Sequence, residues 1–409
     1  MGREMKDSGI EWIGEIPKEW ELIKLKYIFK IIGGNGFPDK LQGNINGDYP
    51  FCKVSDINSL DTYVYAANNY VTTKIVTENN FNIIPENSLI IAKIGAALLK
   101  NHRKINKVRC CIDNNIQALV LKRTYNIKYA YYISKCIDMA WFNNGSTVPS
   151  VNNEKLLNSY IPMIDSITQQ KIADFLDSQC SGIDSVLDRT RATIEEYKKL
   201  KQAVITQAVT KGVRGKRPMK DSGIEWIGEI PEKWKCTYLK NLCVMRSGKN
   251  LISEQIADQG NYPVYGGNGV RGYFSEYNID DEIILVGRQG ALCGNVHKVK
   301  GKIWATEHAV VTKNKENTNI NYLFYMLVSM NLNQYASNTA AQPGLAVSEI
   351  LSKKALIPSE EEQQEIADYL DKTCSEIDTL ISQKEQYLVE LENYKKSLIY
   401  EYVTGKREV

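Results

Sequence analysis

"MKDSGIEWIGEIP" at residues 5–17 returns letter for letter at residues 219–231, and with two residues between, each copy is followed by a tryptophan, Trp20 and Trp234. A second duplication lies downstream of each. "QQKIADFLDSQCSGIDSVL" (169–187) matches "QQEIADYLDKTCSEIDTLI" (363–381), and the match runs without a gap at an offset of 194 to Thr210 and Thr404. Between the duplicated parts lie two diverged stretches, about 18–161 and 232–357. They share a skeleton: "LIIAKIGAALL" (89–99) resembles "EIILVGRQGALCG" (282–294), which sets Lys93 against Arg288 and Gly95 against Gly290. "KYAYYIS" (128–134) resembles "NYLFYMLVS" (321–329), and both stretches close on an Ile-Pro, at 161–162 and 357–358. The chain is therefore two half-repeats, which is the first thing to settle before a fold is assigned. The connector "KGVRGKRP" before Met219 resembles the C-terminal "GKREV" joined to the N-terminal "MGRE". The repeat is circular in character and predicts termini that lie close together.

The long similar segments predict helices of 42 residues, about 63 Å each. Apolar positions alternate by four and three, the heptad spacing of a seam. One stripe holds Ile183, Leu187, Ile194, Tyr197 and Val204; the other holds Ile377, Ile381, Leu388, Leu391 and Leu398. Thr190, Lys201, Lys384 and Lys395 interrupt the stripes, which predicts a thin seam with lysines reaching out to water. Gly212 and Gly405 are the expected stops. The diverged stretches predict mixed α/β domains, with β-rich runs separated by Gly, Asn and Asp turns.

Composition sets bounds. A chain of 409 residues with 43% apolar residues and a net charge of +3 fits two or three ordinary domains. The polar N-terminus predicts no signal peptide, and the longest apolar run is too short for a bilayer. Nine scattered cysteines, none in C-x-x-C spacing, predict reduced thiols in a cytoplasmic protein. "GNGVRG" (267–272) has the G-x-G-x-x-G form but leads into "YFSEYN", so it reads as a turn. There is no Walker A motif, no Asn-Pro-Pro or Asp-Pro-Pro, and His102, His297 and His308 stand in no metal or triad spacing. A methyltransferase or nuclease in its own right is disfavoured, and no catalytic, cofactor-binding or metal-binding residue is assigned.

Charge placement points to phosphate. "KNHRKINKVR" (100–109) and "HKVKGK" (297–302) occupy the same place in the two domains, just after the Gly-Ala turn, and read as basic loops. The candidate DNA contacts are Lys93, Lys100, Asn101, His102, Arg103 and Lys104 in the first domain. In the second they are Asn268, Arg271, Arg288, Gln289, His297, Lys298 and Lys300. Arg288 and Gln289 sit on a Gly turn after a predicted strand, with Lys93 opposite in the repeat, where base edges or backbone come within reach.

The combination "MKDSGIEWIGEIP..W", a variable domain, "IP....QQKIADFLD....ID" and a long helix, all twice over, resembles the specificity subunit of type I restriction–modification systems. The resemblance covers the whole chain. It implies an α+β fold with two similar mixed α/β target recognition domains. These are joined by two long antiparallel helices in a coiled coil, with a pseudo-two-fold and a circular repeat. It implies the division 1–17 connector, 18–161 first recognition domain, 162–217 central conserved region, 218–231 repeated connector, 232–357 second recognition domain and 358–409 distal conserved region. It further implies a non-catalytic reader of a bipartite, asymmetric target in double-stranded DNA. Its partners are two methyltransferase subunits using S-adenosylmethionine and restriction subunits using ATP and magnesium. Trp12, Trp20, Trp226 and Trp234 then pack the joint between helix end and recognition domain. The alternative is a non-catalytic coiled-coil scaffold presenting two protein-interaction domains.

Overall fold

The computed structural model describes residues 3–58, 61–145, 147–290, 293–336 and 344–409. The chain divides into two units: Met1–Arg189 with Tyr387–Val409, and Thr190–Gln386. Each is described by itself.

The identical segments fold identically. Met5–Asp7 pairs antiparallel with Glu15–Pro17, and Met219–Asp221 pairs in the same register with Glu229–Pro231. In both hairpins the serine N–H (Ser8, Ser222) donates to the glycine carbonyl (Gly14, Gly228) at 3.0 Å. Both glycines have φ +65°, a left-handed turn that favours glycine. The following tryptophans, Trp20 and Trp234, are buried, and an arginine guanidinium lies over each: Arg3 at 5.4 Å and Arg217 at 5.3 Å. Arg3 precedes the first hairpin and Arg217 the second, so the N-terminus does stand where the middle connector stands. The C-terminus meets it: Tyr400 Oη and Lys406 Nζ donate to the Ile13 carbonyl at 2.9 and 2.7 Å, and Arg3 reaches Glu408 at 3.5 Å. The expectation of adjacent termini holds.

Two helices exceed forty residues. They are α2 (Ser166–Lys211) and α4 (Glu360–Val403), and each packs on the shorter helices α1 (Ile127–Lys135) and α3 (Ile320–Ser329). At 46 and 44 residues, α2 and α4 have lengths of about 69 and 66 Å. Asp165 starts α2 by accepting the N–H groups of Ile167 and Thr168 at 3.0 and 2.9 Å. Gly212 and Gly405, with φ +76° and +74°, end the two helices, as expected.

Inside each unit the helices run antiparallel. In the first, Phe175 of α2 meets Tyr402 of α4 at 4.4 Å, and Asp184 pairs with Lys395 at 2.6 Å. In the second, Tyr197 meets Lys384, and Lys201 pairs with Asp378 at 2.6 Å. The 194-residue offset carries Asp184 to Asp378 and Lys201 to Lys395. Every predicted seam residue from Ile183 to Val204 and from Ile377 to Leu398 is buried or half-buried. The seam lysines differ from expectation: Lys201 and Lys395 each bind a carboxylate of the facing helix.

Five strands form the largest sheet of the first unit: β1 (Phe29–Gly33), β2 (Tyr63–Val64), β3 (Leu89–Ala92), β4 (Arg103–Asn106) and β5 (Ile116–Leu121). Their order is β1-β5-β3-β4-β2, antiparallel except for the last pair. The second unit has β6 (Cys243–Ser247), β7 (Tyr262–Gly266), β8 (Gly269–Phe274), β9 (Ile279–Gly287), β10 (Val296–Ala305) and β11 (Ala309–Asn314). Their order is β6-β11-β9-β10-β7-β8, again with one parallel pair, β10 with β7. Both sheets thus share a five-strand plan. "GNGVRG" is the hairpin turn into β8, as read from sequence.

One core in each unit joins three parts. In the first, Tyr125, Tyr129 and Ile133 pack with Ile172 and Leu176 of α2 and with Leu398, Tyr402 and Val403 of α4. In the second, Tyr322, Leu323 and Met326 pack with Ile366 and Leu370 of α4 and with Ile205, Ala208 and Val209 of α2. The start of one long helix and the end of the other clasp α1 in the first unit and α3 in the second.

Candidate nucleic-acid interface

The duplicated Gln-Gln-x-Ile-Ala-Asp sequence is a clamp on the N-terminal ends of α1 and α3. Gln169 accepts the Asn126 N–H at 2.8 Å, and Gln363 accepts the Asn319 N–H at 2.8 Å. Gln170 and Gln364 each accept the amide of the same asparagine at 2.7 Å. Tyr132 donates to Asp177, and Tyr325 to Asp371, both at 2.7 Å. Gln169 and Gln363 are nearly fully buried, and their second hydrogen bonds go to the Ile164 and Pro358 carbonyls. Buried amides so satisfied fix the orientation of the domain helix on the long helix.

A corner at the other end of each sheet has the features of an interface. The Lys93 N–H donates to the Asn115 carbonyl at 2.9 Å, and the Lys93 carbonyl accepts from Val151 at 2.9 Å. In the second unit, the Arg288 N–H donates to His308 and the Arg288 carbonyl accepts from Leu345, both at 2.9 Å. The next residues form isolated bridges, Ile94 with Ser150 and Gln289 with Gly344. Gly34 and Gly248 follow β1 and β6, and donate to Ile116 and Ala309 at 3.2 and 3.0 Å. A Cβ would fall 1.8 Å from the Asp113 carbonyl at Gly34, and 2.3 Å from two carbonyls at Gly248. Only glycine lets the strand end pass that close. Each corner is one frame of backbone bonds, and the sequence alignment of Lys93 with Arg288 and Gly95 with Gly290 is correct.

The side chains on the frames differ. The first corner presents Gly33, Lys93 and Asn115; the second presents Ser247, Arg288 and His308. Lys93 and Arg288 are half-buried, and Gln289 and Lys249 are exposed. Arg288 donates from Nη1 to Ser247 Oγ at 3.0 Å. His308 lies 3.2 Å from Glu307. The hairpin turn brings in Asn268, which accepts from Asn295 at 3.1 Å, while neighbouring Gly267 packs against the His308 and Gln289 carbonyls. Arg271 is exposed on β8, its stem packed on Gly266. Cationic and amide donors on a half-exposed frame can meet phosphate oxygens and base edges. Ala291 and Leu292 of the Gly-Ala turn lie outside the described residues.

The two basic loops require correction. Residues 103–106 are strand β4, in which Arg103 and Lys104 are 3% and 1% exposed. All four residues of the strand are buried, so both of its faces are covered and the adjacent basic side chains are enclosed on opposite sides. Arg103 ties loops together by donating to the carbonyls of Asn101 (2.7 Å) and Ile137, and burial pulls its guanidinium down to about 10. Asn101 accepts the Met139 N–H and donates to Asp138, both at 2.8 Å, and has φ +54°. It is a structural pin. Lys100 is exposed. His102 and His297 are half-buried, and burial pushes both imidazoles below their ordinary range. His297, Lys298 and Lys300 lie on strand β10, not on a loop. Lys298 donates to Asn321 at 2.7 Å and lies 3.8 Å from Asp371, which directs it to the clamp. Lys300 is exposed, 4.0 Å from Glu282. Ser247, Asn115, His308 and the bracing loops at 149–151 and 344–345 were missed. Their signal was faint: Gly34 and Gly248 stand 214 apart, the offset of the identical hairpins, and Pro149 and Pro343 stand 194 apart.

Among the described residues no group of His, Cys, Asp and Glu could hold a metal ion, and no helix is long and apolar enough to cross a membrane.

The comparisons with known proteins agree with this duplicated architecture. The family model described as "Type I restriction modification DNA specificity domain" matches residues 17–196 and again 231–390. The chain is 32% identical over 371 residues to the type I restriction enzyme EcoprrI specificity subunit of Escherichia coli, covering 87% of each chain. It is 23% identical over 427 residues to the MjaIX specificity subunit of Methanocaldococcus jannaschii, covering 97% of this chain and 95% of that one. A solved chain of a type I R-M system, studied for complex assembly and conformational transition, shares the fold. Its TM-score is 0.71 at 14% identity, covering 96% and 99% of the two chains. Two matches of one specificity-domain model, each starting at the proline that ends a repeated hairpin, place the chain in the family of type I restriction–modification specificity subunits.

Proposed function

We propose that the chain reads a bipartite, asymmetric target in double-stranded DNA, with one sheet corner for each half-site. The observation that supports this reading is one backbone frame used twice with different side chains on it. Equal frames meet DNA in equal ways; unequal side chains read unequal bases. The chain supplies no catalytic group in this reading. Two methyltransferase subunits bring S-adenosylmethionine and restriction subunits bring ATP and magnesium. The target adenine is flipped out of the duplex by the methyltransferase. The test is methylation-aware sequencing of host DNA with and without the chain. A methylated motif in two unequal parts that disappears with the chain supports the reading, and a motif that persists contradicts it.

The unbroken helices α2 and α4 motivate a second part of the proposal, that they set the spacer between half-sites. Each helix pairs with the other in both units, so a deletion must be matched. Removing Ile194–Tyr197 together with Ser382–Glu385 shortens both by about 6 Å, nearly two base steps of about 3.4 Å. The expected result is the same two half-sites with a shorter spacer. An unchanged spacer in a folded deletant ends the ruler idea. The scaffold alternative predicts no salt-dependent shift of duplex DNA in a gel, with or without the methyltransferase.

A further inference from the structure

We propose that Arg288, oriented by Ser247, selects a guanine in the half-site of the second unit, and that Lys93 stands at the corresponding base pair of the other half-site without that selectivity. This rests on the reading that each corner meets one half-site.

Arg288 is fixed at both backbone and side chain, and Cys293 Sγ also donates to its carbonyl at 3.1 Å. Its backbone is held on both sides, by His308 and Leu345 at 2.9 Å. Its guanidinium is held by Ser247 Oγ at 3.0 Å through Nη1. The edge carrying Nε and Nη2 has no partner among the described residues. A guanidinium edge offers two parallel N–H donors, which match O6 and N7 of guanine in the major groove. That match is selective only when the plane is held. A free arginine swings onto the nearest phosphate, and the Ser247 hydroxyl is what restrains this one.

Lys93 occupies the same place on the same frame, with its N–H on Asn115 and its carbonyl on Val151. Two things are absent. The ammonium is a point charge with rotating donors, and the position of Ser247 is taken by Gly33, which has no hydroxyl to offer. A Cβ built on Gly33 would meet nothing nearer than Lys93 Nζ, at 3.9 Å. Gly33 is also not in the left-handed region. A serine therefore fits there without strain, and the first corner can be given the geometry of the second by two substitutions.

The experiment uses the full chain assembled with its methyltransferase subunits and duplexes in which each half-site position is varied in turn. Competition against a non-specific duplex at several salt concentrations gives both discrimination and salt slope. Arg288→Lys is expected to cut discrimination at one G·C pair of one half-site by roughly 5- to 150-fold, the range of a lost bidentate contact. Ser247→Ala is expected to lower preference at that same pair more than it lowers non-specific affinity, which marks Ser247 as a positioning residue. Gly33→Ser with Lys93→Arg is expected to create a preference for guanine at one pair of the other half-site. That gain cannot come from misfolding. If Arg288→Lys and Arg288→Ala instead weaken all sequences alike, and Arg288→Ala lowers the salt slope by about 0.9, Arg288 contacts a phosphate and the proposal is wrong. An unchanged profile in the double variant overturns it as well. Absence of any sequence preference in the unaltered complex would instead overturn the half-site reading beneath it.

Discussion

The clamp and the corner are built by opposite means. At the clamp, side chains make the bonds: Gln169, Gln170 and Asp177 hold Asn126 and Tyr132, and Gln363, Gln364 and Asp371 hold Asn319 and Tyr325 at near-identical distances. At the corner, backbone holds backbone: Lys93 to Asn115 and Val151, Arg288 to His308 and Leu345. A contact made by side chains requires particular residues. A frame made of N–H and C=O groups is indifferent to what it carries, apart from the glycines at 34 and 248. This is how two domains keep one shape while the side chains on the frame diverge.

Substitutions can break or sharpen that contrast. Trp234→Ala is expected to have the largest effect. It empties a site 1% exposed and leaves Glu362, which accepts from Trp234 Nε1 at 2.8 Å, without that partner. The expected loss is about 3–5 kcal/mol, read as earlier urea unfolding of the second unit by hydrogen exchange. Gly248→Ala should follow, at about 1–3 kcal/mol, because the added methyl overlaps the Ala305 and Thr306 carbonyls. It should also abolish recognition of one half-site. Gln169→Ala orphans the Asn126 N–H and the Ile164 carbonyl, a further case at about 1–3 kcal/mol. Asp184→Ala removes a half-exposed ion pair and should cost about 0.2–1 kcal/mol by thermal unfolding. Asn115→Ala and His308→Ala should stay within about 0.5 kcal/mol of the parent while changing DNA selectivity. A loss there as large as that of Gln169→Ala would mean that the corner, too, is held by its side chains.

The same contrast decides what was legible beforehand. The hairpins, the Gln-Gln segments and the heptad stripe were readable because their contacts are made by side chains, so the repeat preserves letters. Gly212 and Gly405 were readable because a left-handed stop selects one residue type. The corner was half-readable: the Gly turn placed Lys93 beside Arg288 correctly, but bracing by backbone bonds leaves no letters to find. The basic loops were misread because charge was taken for exposure. In β4, an inner strand buried on both faces, the adjacent Arg103 and Lys104 are enclosed on opposite sides, and Arg103 closes two loops. In β10, Lys298 turns toward Asn321 and Asp371.

The most direct test is to give the chain one recognition domain twice. Strand Glu21–Lys24 pairs with Tyr160–Met163 in the register in which Lys235–Tyr238 pairs with Lys354–Ile357, so Met163 corresponds to Ile357 and residues 18–163 can replace 232–357 at matched junctions. Methylation mapping of DNA from cells carrying the chimera and its methyltransferase reads the outcome. A motif composed of two copies of the first half-site is the result expected if each unit reads its half alone. A motif that keeps the original second half-site would contradict the account.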